Sequence, residues 1–366
     1  MAPKLGFAQT DMPSVTSAVS ESKRQQLQSL FDEEWQYEMR ISPESATQLG
    51  DNRYNDRLSD YSAEAAQADI EQRKQFLARF EAINPAELSE QDTLSRQLMI
   101  RELRMDIEGA QFKDWEMPVN QRDGPHLELP DLTSITPYNN VQDYDNYLAR
   151  LRQVSRVFGQ VTANMRQGMR DGLMPPRFLL EEVSAESEEV AGKTGENSPF
   201  FTPLNKFPSG ISPVEQKRLR EAALSVISQQ IIPAYKRFAV FVRDEYAPRG
   251  RTEPGVWSLP DGEARYRYQI RRMTTTDLTP DQIHQIGLKE LDKTEAEMLT
   301  LAHKLGFADL ATLNQHIKND PKLYAKSGQQ LIDLYGGYAH EMEPELPKLF
   351  GRLPKAKLIA VPMEPS

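Results

Sequence analysis

The 366-residue sequence contains no cysteine. That excludes disulfides, thiol catalysis and zinc sites built on thiolates. It leaves the compartment open, because cysteine-free chains suit the cytoplasm and an oxidising periplasm alike. No apolar run approaches the roughly 18–20 residues that a helix needs to cross a bilayer. Positive charge is in short supply too: 44 Lys and Arg stand against 54 Asp and Glu, a net charge of −10. An acidic surface repels a phosphate backbone, which argues against nucleic acid as a partner. The one basic cluster, Lys217, Arg218 and Arg220, lies between Glu215 and Glu221 and reads as a solvated helix face.

Histidine is equally scarce. His126, His284, His303, His316 and His340 are the five present, and no two sit one helical turn apart around a glutamate, as a zinc hydrolase requires. His340-Glu341 opens like such a motif, but Pro344 occupies the place of the second imidazole. The stretch is read as a helix end with acids facing water. The acidic pairs Glu181-Glu182 and Glu188-Glu189 are read the same way. No nucleophile elbow, phosphate-cradling loop or dinucleotide fingerprint is present.

What the sequence does contain is helical periodicity. Leu27, Phe31 and Trp35 recur every four residues after Ser22, and helices are expected over about 62–82 and 89–110. Pro118, Gly124-Pro125, Pro130 and Pro137 predict a long irregular connection over 113–140. Val141, Tyr144, Leu148, Leu151, Val154, Phe158, Val161 and Met165 predict one long helix over 141–171. A shorter helix follows Pro175-Pro176. Ser212-Pro213-Val214-Glu215 and Thr279-Pro280-Asp281-Gln282 each read as a capped helix start with a capping box. The first of these helices should run toward Tyr246 with a kink at Pro233. The second carries Ile283, Gly287, Leu291, Met298, Leu301 and Leu305 on one face and stops at Gly306. Helices over 308–318 and 327–342 complete an all-α chain, with room for a small hairpin near either long loop. Residues 1–21 form a disordered N-terminus or, from the small residues of Gly6-Phe7-Ala8-Gln9, the remnant of an export signal. Residues 22–366 form one helical region.

One stretch stands out: Pro254-Gly255-Val256-Trp257-Ser258-Leu259-Pro260-Asp261-Gly262, then Tyr266, Tyr268, Arg271, Arg272 and Thr274-Thr275-Thr276. It is either a packed loop and helix or the wall of a cleft for an extended polar ligand. On the second reading Trp257, Asp261, Tyr266, Tyr268, Arg271, Thr274 and Thr275 are the contact candidates. This run, continuing through Asp277-Leu278-Thr279-Pro280, His284, Gly287 and Glu290, resembles the bacterial domain-of-unknown-function family 885. So do Gly306-Phe307, Asp320-Pro321 with Tyr324, Leu346 to Pro354, and Phe31-Asp32 with Pro43-Glu44 and Gly50.

The resemblance implies an elongated helical body like that of thimet-oligopeptidase-type zinc peptidases, in proteins that are often exported or lipid-anchored. The family's metal motif resembles H-E-x-x-P-G-H and lies downstream of the segment matching Leu346–Val361. No such motif follows here, so no catalytic or metal-binding residue is carried over. The expectation is the N-terminal part of a zinc-dependent peptidase that forms one wall of a peptide cleft, in the periplasm or exported, with the cytoplasm as the alternative. Zinc is expected in a full-length relative and no cofactor in this chain. Apolar helix faces left uncovered would promote self-association. The competing reading is a non-enzymatic helical peptide-binding or scaffold protein.

Overall fold

Helix starts are set locally by side chains that accept backbone N–H groups. In the computed structural model, which describes residues 15–362, Ser62, Ser89, Asn140, Ser212, Thr279 and Asp309 each do so at a helix N-terminus. The α-helices of the first part of the chain are α1 (Val15–Ile41), α2 (Pro43–Gln48), α3 (Ala63–Ala82), α4 (Glu90–Gly109), α5 (Pro125–Ile135), α6 (Val141–Leu151), α7 (Val154–Asp171), α8 (Arg177–Gly192), α9 (Pro213–Val226), α10 (Ile232–Phe241) and α11 (Gly262–Thr274). They make one compact unit that ends at Asp277. The second unit begins at Leu278 and holds α12 (Pro280–Lys304), α13 (Leu310–Asn319) and α14 (Gly328–Met342). Among the described residues there is no strand. The expected hairpin is replaced by a single bridge between Pro176 and Arg251. The class is all-α. The Gly6–Gln9 segment lies outside the described residues.

Two apolar clusters fill the first unit. Leu27 and Leu30 of α1 meet Phe76 and Phe80 of α3 and Ile100 and Leu103 of α4. Trp35, expected on the same face as Leu27, is instead exposed, and Met39 takes the buried place. The larger cluster joins α5 to α10 around Tyr147, Phe158, Phe200, Tyr235 and Phe238.

The predicted helix over 141–171 is two helices. The Arg152 and Gln153 turn between them is tighter, with the Gln153 N–H donating to the Arg150 carbonyl at 2.9 Å. The Gln153 side-chain amide donates to the Ala149 carbonyl at 3.0 Å and to Asp56 O at 2.8 Å. A side chain thus replaces the backbone donor, and the apolar stripe stays buried on both sides of the break.

Residues 113–140 also depart from expectation, because α5 forms in their midst. Pro125 occupies its first turn, where no N–H is needed, and Pro130 is tolerated inside it. The path from α9 to Tyr246 widens into π turns at Ile227–Ile231 and Val242–Tyr246. The first directly precedes Pro233 and makes room for its ring. Ser212 caps α9, but Glu215 completes no capping box and pairs with Arg218 at 2.7 Å. At α12 the box is complete, and Gly306 beyond its end is left-handed with φ 88°.

In the second unit only Ala302 and Leu313 are buried among the described residues. Leu291, Leu301 and Leu305 of α12 are exposed, as are Leu331 and Tyr335 of α14.

Candidate functional site

The site grows from one face of α6 and α7. Arg150, Gln153, Arg156, Gln160 and Asn164 follow one another at helical spacing, beside the apolar stripe. All five bind the main chain of the segment leading into α3. Arg150 donates to Arg57 O at 2.8 Å and to Pro43 O at 2.9 Å. The Gln153 oxygen accepts the Leu58 N–H at 3.2 Å. Arg156 donates to Leu58 O at 3.0 Å and to Ser59 O at 3.2 Å. The Gln160 oxygen accepts the Tyr61 N–H at 3.2 Å, and Asn164 donates to Tyr61 O at 2.6 Å. Residues 57–61 therefore run extended without a strand partner, their backbone groups met by helix side chains. Arg150 is fully buried with carbonyls and the Thr47 hydroxyl as its partners and no carboxylate. Burial pushes its pKa below the usual arginine value.

Helix α7 fixes a second wall. Gly168 lies against the carbonyl oxygen of Glu116, where a Cβ would collide. That close approach holds the turn Asp114–Glu116 and with it Trp115. Between this turn, the extended segment, α1 and α3 lies a mainly apolar cleft of about 700 Å³, with Tyr37, Ile41, Leu58, Tyr61 and Trp115 on its walls. That volume falls within the roughly 300–1,000 Å³ of small-ligand pockets. Burial, followed by the charges of Glu128 and Glu44, raises the Tyr61 pKa above its usual value.

A second cavity of about 520 Å³ shares Ala66, Asp69 and Trp115 with the first. Its charged wall centres on Arg73, which bridges α1, α3 and α4. It reaches Glu38 at 2.7 Å, Asp69 at 2.8 Å and Asp106 at 3.0 Å. Tyr37 donates its hydroxyl to Asp69 at 2.9 Å. Burial raises Glu38 despite the nearby guanidinium, and burial together with the Glu38 charge raises Glu34. Arg73 serves as the internal counter-ion of a four-carboxylate group.

The model of the family described as "Bacterial protein of unknown function (DUF885)" matches residues 43–366. The chain belongs to this family. Family 885 membership covers both units. No curated protein matches the sequence. Its fold is similar to the crystal structure of "the putative lipoprotein from Colwellia psychrerythraea", with a TM-score of 0.83, 20% identity and 91% of this chain covered. The chain spans 61% of that structure's own length.

The contact candidates of the Pro254–Thr276 stretch do not converge on one pocket. Tyr268 is buried and lines the second cavity. Its hydroxyl donates to Met105 O at 2.9 Å and accepts from Arg272 at 2.9 Å, and its ring lies where Gly109 has no side chain. Arg271 pairs with Glu108, again on α4. Trp257 is 72% exposed and Tyr266 is exposed too. Asp261 and Thr275 flank α11 in left-handed conformation, and Thr274 donates to Ile270 O at 2.8 Å. None of these other six lines either cavity. The stretch fastens α11 to α4 and to residues 112–114, where Arg265 pairs with Asp114, donates to Phe112 O at 2.6 Å and lies over the Phe112 ring.

Sequence reasoning did not name the residues that line the first cleft, Tyr37, Tyr61 and Trp115, or the polar stripe beside them. The stripe had a signal: five long polar side chains at steps of three or four, next to the apolar ones. It also passed over His126, which is buried with Nε2 3.1 Å from a Glu186 carboxylate oxygen. Burial lowers this imidazole from 6.5 to about 4. Among the described residues no three His, Asp or Glu side chains gather as a metal site, and no helix is long and apolar enough to cross a membrane. The described residues do not fit the zinc that the family resemblance implies.

Proposed function

We propose that this chain is the peptide-binding helical part of an exported, zinc-dependent peptidase of family 885, with the metal held by residues other than the described ones. The observation that carries the reading is the first cleft: an aromatic-walled groove whose extended wall has its own backbone engaged by α6 and α7. Such a wall cannot recruit a peptide by strand addition. It recognises one through side chains, with the apolar surfaces of Tyr37, Tyr61 and Trp115 supplying contact area. The resemblance to zinc peptidases supplies the reaction class. The structural neighbour's description as a lipoprotein supports export.

The test uses Trp115 as the reporter. With the exposed Trp35 and Trp257 replaced by Phe, a saturable change in its fluorescence on adding short peptides supports the cleft assignment. A flat response to all of them removes it. Metal content and peptide cleavage by the natural gene product decide the second half. About one zinc per chain with cleavage is the expected result, and neither would overturn it.

A scaffold or binding role is favoured by a different feature, the exposed Leu291, Leu301 and Leu305 of α12 and Leu331 and Tyr335 of α14. Light scattering that shows concentration-dependent assembly, lost on charging Leu301 and Leu305, would support it.

A further inference from the structure

The charged groups that line the first cleft are unevenly partnered. Its lining holds two acids and two arginines, Asp60, Asp69, Arg40 and Arg57. Both acids are already engaged. Asp60 accepts the Ser62 N–H at 2.9 Å and the Gln160 amide at 2.7 Å, and against the effect of burial these contacts hold its carboxyl below the usual range. Asp69 accepts from Tyr37 and from Arg73. Arg57 has one loose ion pair, 3.5 Å from the exposed Asp56, and lies over the Tyr54 ring, 5.7 Å from its centroid. Arg40 has no ion pair or hydrogen bond at all among the described residues. Its guanidinium lies over the Tyr37 ring, 5.4 Å from the centroid, one helical turn back on α1. The other arginines of the two cavities, Arg73 and Arg272, are paired with Glu38, Asp69 and Asp106.

In a chain of net charge −10, the cleft thus keeps one arginine without an ion pair, set over an aromatic ring. The Tyr37 ring lies under the exposed guanidinium, whose N–H fork no carboxylate or carbonyl of the described residues occupies, and that fork matches a carboxylate. We propose that the cleft selects peptides by a carboxylate bound to Arg40, with Arg57 adding to the field. The proposal rests on the reading of the cleft as a peptide site and names its specificity.

Three acetylated pentapeptides of the same apolar sequence distinguish the outcomes in the Trp115 titration. One ends in a free acid, one in a neutral amide, and one in an amide with glutamate as its last residue. Binding by the free acid or by the glutamate peptide is expected to be about five- to tenfold tighter than by the neutral amide at low salt, the size of one charge-assisted pair. Which of the two gains tells whether the main-chain or a side-chain carboxylate is read. Arg40→Gln is expected to bring the favoured peptide to the level of the amide and to leave the amide unchanged. Arg122→Gln, a change outside both cavities, is expected to leave all three as they were. Equal binding of the three by the unmodified cleft, or a preference that survives Arg40→Gln, overturns the proposal while leaving the peptide site standing. Failure of all three to bind removes the peptide site and the proposal with it.

Discussion

The Tyr235 hydroxyl donates to the His126 carbonyl at 3.1 Å. In α5 that carbonyl is the one that residue 130 would satisfy, and residue 130 is proline, which has no N–H. A tyrosine from α10 supplies the missing donor, so the helix tolerates its internal proline. Tyr235→Phe leaves a buried carbonyl without a partner and should cost about 1–3 kcal/mol. In a Pro130→Ala background the alanine N–H can serve the same oxygen, and the cost should shrink. Equilibrium denaturation of the four proteins in the cycle measures this coupling.

His126 should make stability fall in mild acid. Its pKa is lowered by burial to about 4, against an ordinary 6.5 when unfolded. A lowered imidazole contributes stability above the unfolded value and loses it as pH drops from 6.5 toward 4, by at most about 3 kcal/mol. Glu186 faces Nε2 and favours the imidazolium, which reduces the loss. Burial and the charges of Glu182 and Glu189 raise Glu186 itself, and that works in the opposite direction in the same pH window. The comparison is therefore by difference: denaturant midpoints at pH 7 and pH 4.5 should diverge less in His126→Gln than in the unmodified protein.

Arg150 is the fastening of the extended wall. Arg150→Met removes the guanidinium donor to Arg57 O and one of the donors to Pro43 O, and takes a partner from the Thr47 hydroxyl. A loss of about 3 kcal/mol or more is expected in urea unfolding. Proteolysis under native conditions should find its first new cut between Asn55 and Ser62.

Gly168→Ala tests the other wall. The added methyl meets the Glu116 carbonyl, and overpacking of this kind costs about 1–3 kcal/mol. Because the displaced turn carries Trp115, its fluorescence maximum should shift in the folded variant. An unchanged spectrum would separate Gly168 from the cleft.

Helix starts were legible because they are local. Thr279-Pro280-Asp281-Gln282 carries its own cap, and the structure closes both halves of the box. Ser212 shows the limit of such reading: its cap forms, while Glu215 is drawn to Arg218 and completes no box. The same limit applies to α6 and α7. The apolar stripe from Val141 to Met165 was visible, but the break at Gln153 was not, because the partner that stabilises it is the Asp56 carbonyl, distant in sequence.

By itself, then, the sequence determined the all-α class, the helix boundaries set by Ser, Thr, Pro and Gly, and the absence of thiol chemistry. Each of these follows from residues within a few positions of one another. Only the tertiary structure decided that Arg150, Gln153, Arg156, Gln160 and Asn164 act on residues 57–61, that Tyr235 completes α5, and that Arg40 alone among the cleft arginines has no ion pair or hydrogen bond among the described residues. Those outcomes depend on which buried groups meet across about a hundred residues of chain. Local periodicity carries no information about such meetings, because it fixes the face of a helix and not what that face will touch.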